Sequence, residues 1–446
     1  MPLAQAFDVV GTQFLPEDFQ RFRQQVDPAW VEEALLATGS ASIRRRRLPA
    51  ELVVWLVVGM ALLRNEAMLR VAALLGLVAD DGDLPAKSGL TQARQRLGPE
   101  PMAYLFATTA ERWAHGEATR HRWRGLALYG MDGTTLRVPD TPENWAAFGG
   151  QVGNGSRGGS AYPTVRAVAV MGLRSHLLAS FRFDAYAVGE VTLAEGYWNE
   201  VTDDSLTLVD RNFLVVRDLV RLERSGSNRH WMTRAKSTTR LRTLRKLGPH
   251  DRLVEVMLSD ATRRAHPGLP DVFQARAIRY QRRGFRPSTL LTSLLDPVRY
   301  PASELVEVYH QRWEIELGYD EVKTHLLDRQ EAIRSRTPEG VRQELWGIAL
   351  AYNLIRLEMA RAAEEAGVEP TAISFVAAVS LIRATLIALA MPPMVPSKIP
   401  GDLLRLRQNL KLLILPPRRS GRQYPREVKI KMSNYLHKKS RRAARK

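Results

Sequence analysis

Apolar positions divide the chain into three textures. Up to about residue 115 they recur at helical spacing, predicting helices over Pro16–Thr38, Pro49–Asn65 and Ala67–Leu77. These are broken by "GSASIRRRR" and "ADDGDLPAKSG". The run "LVVWLVVGMALL" (Leu52–Leu63) is apolar on every side but too short to span a bilayer, so it reads as a buried helix. From about Trp123 short strand-like runs take over: "GLALYGMDG", "YPTVRAVAVMGL", "SLTLVD" and "RHWMTRA". They alternate with helical stretches, "GEVTLAEGYWNEV" and the segment near Val215–Arg224. Three β-rich stretches follow within 239–300, "RLVEVMLSD", "FQARAIRYQRR" and "STLLTSLLD", with the look of an insertion. Helical spacing then returns to about Leu415, so the class is α/β with helical regions at both ends.

Composition narrows the partners. Among 446 residues, 65 Lys and Arg against 47 Asp and Glu give a net charge of +18, which favours a polyanion, nucleic acid before membrane surface. From Arg418 to Lys446 there are twelve basic residues and one acid, Glu427, making a basic tail suited to phosphates. There is no cysteine, and the nine histidines form no HExxH motif or ligand pair, so any metal would be a hard cation held by carboxylates. The N-terminus shows no basic stretch leading into an apolar core, which predicts a soluble intracellular protein without a signal peptide.

Candidate chemistry centres on "YHQRWEIELGYDEVK", Tyr309 to Lys323, with Pro301 and Ser303 as a start signal. On a regular helix with Tyr309 at 0°, Arg312, Glu316 and Lys323 fall near roughly 300°, 340° and 320°. The apolar Val308, Ile315, Tyr319, Val322 and Leu326 occupy roughly 220–280°, so the polar stripe adjoins the buried face. A surface ion pair between Arg312 and Glu316 would alone contribute only a few tenths of a kcal/mol. Two aspartates at expected strand ends, Asp132 and Asp210, change that picture, because sites form at strand C-termini in alternating sheets. Three carboxylates from two strands and a helix can hold two Mg²⁺ or Mn²⁺ ions for phosphodiester chemistry. Asp140, Asp184, Asp203, Asp204 and Asp218 are rivals, but none follows an apolar strand as clean as "SLTLV".

Two other segments draw attention. "SGLTQARQRLG", with Ser88 as the expected cap, would present Thr91, Gln92, Arg94, Gln95 and Arg96 as a DNA-reading helix face. The glycine-rich loop at Gly149–Gly159 lacks the GxxxxGK[ST] pattern and is not a nucleotide loop.

With these residues in hand, the sequence resembles a DDE transposase of the insertion-sequence-4 family. Tyr309, Arg312, Glu316 and Lys323 reproduce the family's Y-x2-R-x3-E-x6-K pattern. "MDGTTLRVPDTPENWAAFG", "VGEVTLAEGYW", "LVDRNF", "RTPEGVRQELWGIALAYNLIR" and "YPREVKIKMSNY" resemble it too. The resemblance implies a ribonuclease H-like catalytic core with Asp132, Asp210 and Glu316 as catalytic metal ligands. It implies phosphate contacts from Tyr309, Arg312 and Lys323, and a DNA-distorting role for Trp313. The division it suggests is 1–118, N-terminal helical DNA-binding domain; 119–238 and 301–345, core; 239–300, insertion; 346–415, helical; 416–446, basic tail. Two features depart from the pattern. Asn212 replaces a glycine after "DR", and no tryptophan lies between Trp231 and Trp313, leaving Phe273, Tyr280 or Phe285 to hold a flipped base.

The implied activity is cleavage at the element's terminal inverted repeats and joining of 3′-OH ends to target DNA. It would use Mg²⁺ or Mn²⁺ in a homodimeric synaptic complex, in a bacterial cytoplasm and on the nucleoid when DNA-bound. Rival readings are a non-catalytic DNA-binding derivative, a nuclease without strand transfer, and a basic scaffold or membrane-surface protein.

Overall fold

The computed structural model describes residues 26–41, 48–77, 86–151, 159–270, 272–282, 285–328, 333–389 and 408–416. The basic tail from 417, most of the glycine-rich loop and the part of the first expected helix before Val26 lie outside the described residues.

Helix α1 (Pro28–Ala37) lies within the expected segment Pro16–Thr38. The Asp27 carboxylate accepts from the Ala29 N–H at 2.9 Å and Pro28 supplies the preset first residue, which together start the helix there. Helix α2 (Ala50–Leu62) is buried on nearly every side, as an unbroken apolar run must be. It lies among α1, α3 (Met68–Leu74), α4 (Lys87–Leu97) and the long α12 (Pro338–Ala366). Contact between α2 and α12 is close at Gly347, where a Cβ would stand 2.6 Å from the Val57 side chain. Helix α4 starts after Ala86, so Ser88 sits inside its first turn and does not cap it.

Among the described residues nine strands form one sheet in the order β3-β2-β1-β4-β5-β9-β8-β7-β6. The first five, β1 (Ala127–Arg137), β2 (Thr164–Gly172), β3 (Leu178–Ala185), β4 (Ser205–Val209) and β5 (Arg229–Arg234), make the ribonuclease H-like core. Pairing is antiparallel from β1 through β2 to β3, and parallel from β1 through β4 to β5.

The insertion extends this sheet. It supplies β6 (Leu241–Gly248), β7 (Asp251–Val256), β8 (Phe273–Tyr280) and β9 (Ser288–Thr292), with β9 antiparallel to β5. Four strands are present where three were expected. The unforeseen β6 lies at the sheet edge and exposes most of its residues, so it carries no apolar alternation to read.

Alternate residues of β1 face opposite layers. Gly130 faces helix α11 (Trp313–Asp320), where a Cβ would be 3.5 Å from the Ile315 Cβ. Tyr129 faces α5 (Glu100–Arg120), its hydroxyl 2.7 Å from His115 Nδ1. Thr207 and Trp231 are in register with Tyr129 and share its face. Trp231 donates there to Glu223 of α8 (Val216–Arg224) at 2.7 Å.

Candidate active site

Parallel pairing of β1 with β4 runs from Ala127↔Ser205 to Met131↔Val209. Asp132 and Asp210 are therefore neighbours, the first residues past the paired stretch. Asp132 does not end its strand, as the sequence suggested. Its strand stays paired with β2 on the other edge, Asp132 opposite Ala169, and so continues to Arg137. Asp210 does close β4. Its carboxylate accepts from the Asn212 N–H and caps a tight turn at Arg211–Phe213, while its carbonyl accepts from the Thr233 hydroxyl at 3.0 Å.

Asn212 has structural work of its own. Its side-chain amide donates to Glu190 at 3.1 Å. Glu190 in turn occupies the space a side chain at Gly133 would fill, 2.4 Å from a Cβ built there. The residue standing at the family's glycine position thus ties the Asp210 turn to the segment beside β1.

The segment from Tyr309 to Lys323 is not one uniform helix. Helix α10 (Ala302–His310) ends in a tight turn at Gln311–Arg312, α11 follows, and Glu321–Leu326 forms a π turn. A constant 100° step therefore fails at both ends of the stripe. Tyr309 is buried, and its hydroxyl donates to the Val209 carbonyl at 3.2 Å. Burial pushes its phenol up to about 12. Tyr309 thus faces the core in this structure, against the phosphate-facing expectation, and anchors the residue before Asp210.

Arg312 is the centre of the site. One Nη donates to Asp132 at 2.9 Å and the other to Glu316 at 2.6 Å. The Asp132 carboxyl is pushed up to about 6, first by burial, with the charges of Asp210 and Glu316 adding to it. Arg312 and the Gly133 N–H pull the other way without prevailing. Tyr319, read from sequence only as part of the apolar face, donates to the Asp132 carbonyl at 2.6 Å and accepts from the Ala169 N–H at 3.1 Å. It locks α11 onto the two strands at the site.

The other expected residues divide. Trp313 is 58% exposed beside Arg312. Lys323 is half-buried in the π turn and lines a narrow cavity of about 30 Å³ with Thr134, Leu136 and Tyr319. Arg96 is exposed on α4, as are Thr91, Gln92 and Gln95. Arg94 is a correction: its guanidinium turns inward to Gln343 at 2.9 Å and Ser335 at 3.2 Å, docking α4 on α12. Burial lowers its pKa. Of the aromatic substitutes in the insertion, Phe273 is buried and stacked on Trp231, Tyr280 is half-buried, and Phe285 is exposed.

Behind the carboxylates lies a second ionic cluster that sequence reasoning missed. Glu321, at the start of the π turn, accepts from Arg356 and from the Tyr352 hydroxyl at 2.7 Å. His176 joins them: its Nδ1 lies 2.6 Å from an Arg356 Nη and 3.3 Å from Glu321, and its Nε2 lies 3.0 Å from Glu314. Burial opposes the Glu321 charge, but Arg356 and His176 outweigh it and hold the carboxyl down at about 2. The cluster grips α11 from the side away from Glu316. Its only sequence signal was acids at Glu314 and Glu321, on either side of Glu316.

Among the described residues no group of three His, Asp or Glu is arranged to hold a metal ion. Arg312 stands between two of the three carboxylates. The donor set still suits a hard divalent cation in kind. Three carboxylates approach from separate elements, and the two others oppose ionisation of Asp132, a conflict a cation would relieve.

Comparisons with known proteins give the chain's family. Residues 16–107 match the family model for the insertion element 4 transposase N-terminal region, and 125–354 match the transposase DDE domain. The chain is 37% identical over 439 residues, 98% of each protein, to the transposase InsG for insertion sequence element IS4 of Escherichia coli (strain K12). It belongs to the IS4 family of DDE transposases. This IS4-family transposase is also 36% identical over 220 residues to the putative transposase InsZ of the same organism, covering 49% of this chain and 72% of that one. A cryo-EM structure of a piggyBac transposase synaptic complex with hairpin DNA aligns over 92% of this chain and 88% of that one, at 11% identity and a TM-score of 0.45. That likeness is too loose to add to the assignment. No helix among the described residues is long and apolar enough to cross a membrane.

Proposed function

We propose that this transposase binds the terminal inverted repeats of its element, cuts the phosphodiester at each end and joins the freed 3′-hydroxyls to target DNA. The observation that carries this reading is the approach of Asp210 and Glu316 to Asp132, from two neighbouring strands and one helix, with Arg312 bridging Asp132 and Glu316. Those three side chains are the residues to hold Mg²⁺ or Mn²⁺, two ions in all. When bound, the ions supply charge stabilisation to the attacking and leaving oxygens.

The chain's own groups orient the DNA. Arg312 already spans two carboxylates with its two Nη atoms, a fork that also fits two oxygens of one phosphate. Moving from carboxylates to phosphate would open the space between Asp132 and Glu316. Trp313, exposed next to Arg312, offers a stacking face for a base displaced at the cut end. Lys323 adds a cation one turn beyond α11. Tyr309 acts from the core side, fixing the β4 end that carries Asp210. The exposed face of α4 with Arg96, within an N-terminal domain at 1–118, would meet the repeat, aided by the basic tail at 416–446. A synaptic homodimer, resident in the cytoplasm and on the nucleoid, completes the reading.

The test uses labelled DNA bearing the element's ends with Mg²⁺ or Mn²⁺. Wild type should release 3′-OH ends and join them to a second duplex, and Asp132→Asn and Asp210→Asn should bind but do neither. Cutting without joining would make the protein a nuclease. Binding without cutting, with both ends and Mn²⁺ present, would make it a DNA-binding derivative.

A further inference from the structure

The sheet face opposite α11 carries a groove that the catalytic reading leaves unused. One wall is α8, which leaves the Asp210 turn and runs back along the sheet on the face of Trp231. Its Arg217, Arg221 and Arg224 fall at i, i+4 and i+7, on one side of the helix. The other wall is the loop after helix α9 (Asp260–Ala265) in the insertion, bearing His266. Between them lies an open cavity of about 710 Å³, with Asn199 and Ser225 among its lining residues.

Charge in this groove is only partly balanced. Arg217 is paired with Asp218 and Glu195, each at 2.7 Å. Arg221 donates to the Glu195 carbonyl at 3.1 Å, and Arg224 to the Gly268 carbonyl at 3.3 Å. Among the described residues neither forms an ion pair with a carboxylate, and the nearby Glu223 is engaged by Trp231. Arg264 adds an exposed cation on the insertion side. Two exposed guanidinium groups whose hydrogen bonds go to neutral carbonyls keep most of their charge for a ligand, although Glu223 offsets part of that of Arg224. Their planar forks match phosphate oxygens better than they match a diffuse anion.

We propose that this groove is a second DNA-backbone site. It takes phosphates of a duplex segment other than the one at the carboxylates, because α8 and Asp132 lie on opposite faces of the sheet. The choice of DNA as the phosphate source rests on the transposase reading. From Arg217 to Arg224 the helix spans roughly 10 Å, about three base-pair steps of a duplex. The insertion then acts as a cationic wall, whatever its capacity to stack a flipped base.

The experiment compares full-length wild type with the Arg221→Gln/Arg224→Gln pair and the Arg221→Lys/Arg224→Lys pair. Each is titrated with a non-specific duplex over a range of salt, and wild-type nicking of end DNA is followed in parallel. The Gln pair should lower the slope of log K against log salt by up to about 2, one unit for each lost phosphate contact. The Lys pair should keep the slope. An unchanged slope in the Gln pair, or equal loss in both pairs, would overturn the groove. Loss of slope in the Gln pair alone, from a wild type that never nicks, would leave the groove standing and remove the proposed cleavage and joining.

Discussion

The two ionic clusters on α11 are built from the same parts and behave in opposite ways. On one side Arg312 bridges Asp132 and Glu316; on the other Arg356 grips Glu321, and His176 links it to Glu314. In the first, burial and neighbouring acids push a carboxyl up to about 6. In the second, the cations win and a carboxyl is held at about 2. Partner count makes the difference. Glu321 is held by Arg356 and the Tyr352 hydroxyl with His176 beside it, whereas Asp132 shares one arginine with a second acid, Glu316. A satisfied cluster holds a helix in place. An unsatisfied one is ready to exchange its arginine for a different cation.

The largest effect expected from breaking this contrast is on folding. Arg356→Ala leaves Glu321 buried without its main counter-charge and should cost about 3–5 kcal/mol in urea unfolding. Replacing both partners, Glu321→Met with Arg356→Met, should restore most of that stability, since an apolar pair has no charge to desolvate. If Arg356→Ala unfolds at the wild-type midpoint, the cluster is not what secures α11.

Acidity should separate the clusters by sign. Glu321 has its folded pKa depressed, so its contribution is complete above its ordinary carboxyl range and is lost as pH falls towards about 2. Asp132 has its folded pKa raised, so without metal it favours the folded state least once pH has risen through about 6. In chelator, Asp132→Asn should gain on wild type by about 1–3 kcal/mol between pH 4 and pH 7. Urea midpoints of the two proteins at each pH measure this. A gap that stays constant with pH would mean that Asp132 titrates normally.

Trp313 sharpens the contrast at the smallest scale. With its indole mostly in solvent, Trp313→Ala should change unfolding free energy by no more than about 0.5 kcal/mol. The same change should weaken binding of a pre-nicked end by about 1 kcal/mol or more if a base stacks there. Equal affinity of both proteins for that end would remove Trp313 from the DNA contact.

Much of this was legible in the chain. Asp210 closes an all-buried strand, "SLTLV", and the Arg312–Glu316 spacing fixes an i, i+4 pair whatever follows. Other features depend on contacts that no local pattern carries. Asp132 looked like a strand end because it stands at the close of the run "GLALYGMDG", yet pairing to β2 carries the strand through it. Arg94 had the spacing of a reading face, but Gln343 and Ser335, about 240 positions away, draw it inward. The break at Gln311–Arg312 and the π turn depend on Tyr309 reaching Val209 and Glu321 reaching Arg356, both long-range. His176 and Arg356 lie 180 positions apart, and only folding joins them to α11.

The most direct test of the central claim is cleavage of end DNA by wild type and Glu316→Gln, with Mn²⁺ and with binding measured on the same samples. The account predicts metal-dependent release of 3′-OH ends by wild type. In the variant it predicts a loss of at least about a hundredfold, with DNA still bound. Equal cleavage by the two proteins would contradict it, because the chemistry would then not need the Glu316 carboxylate.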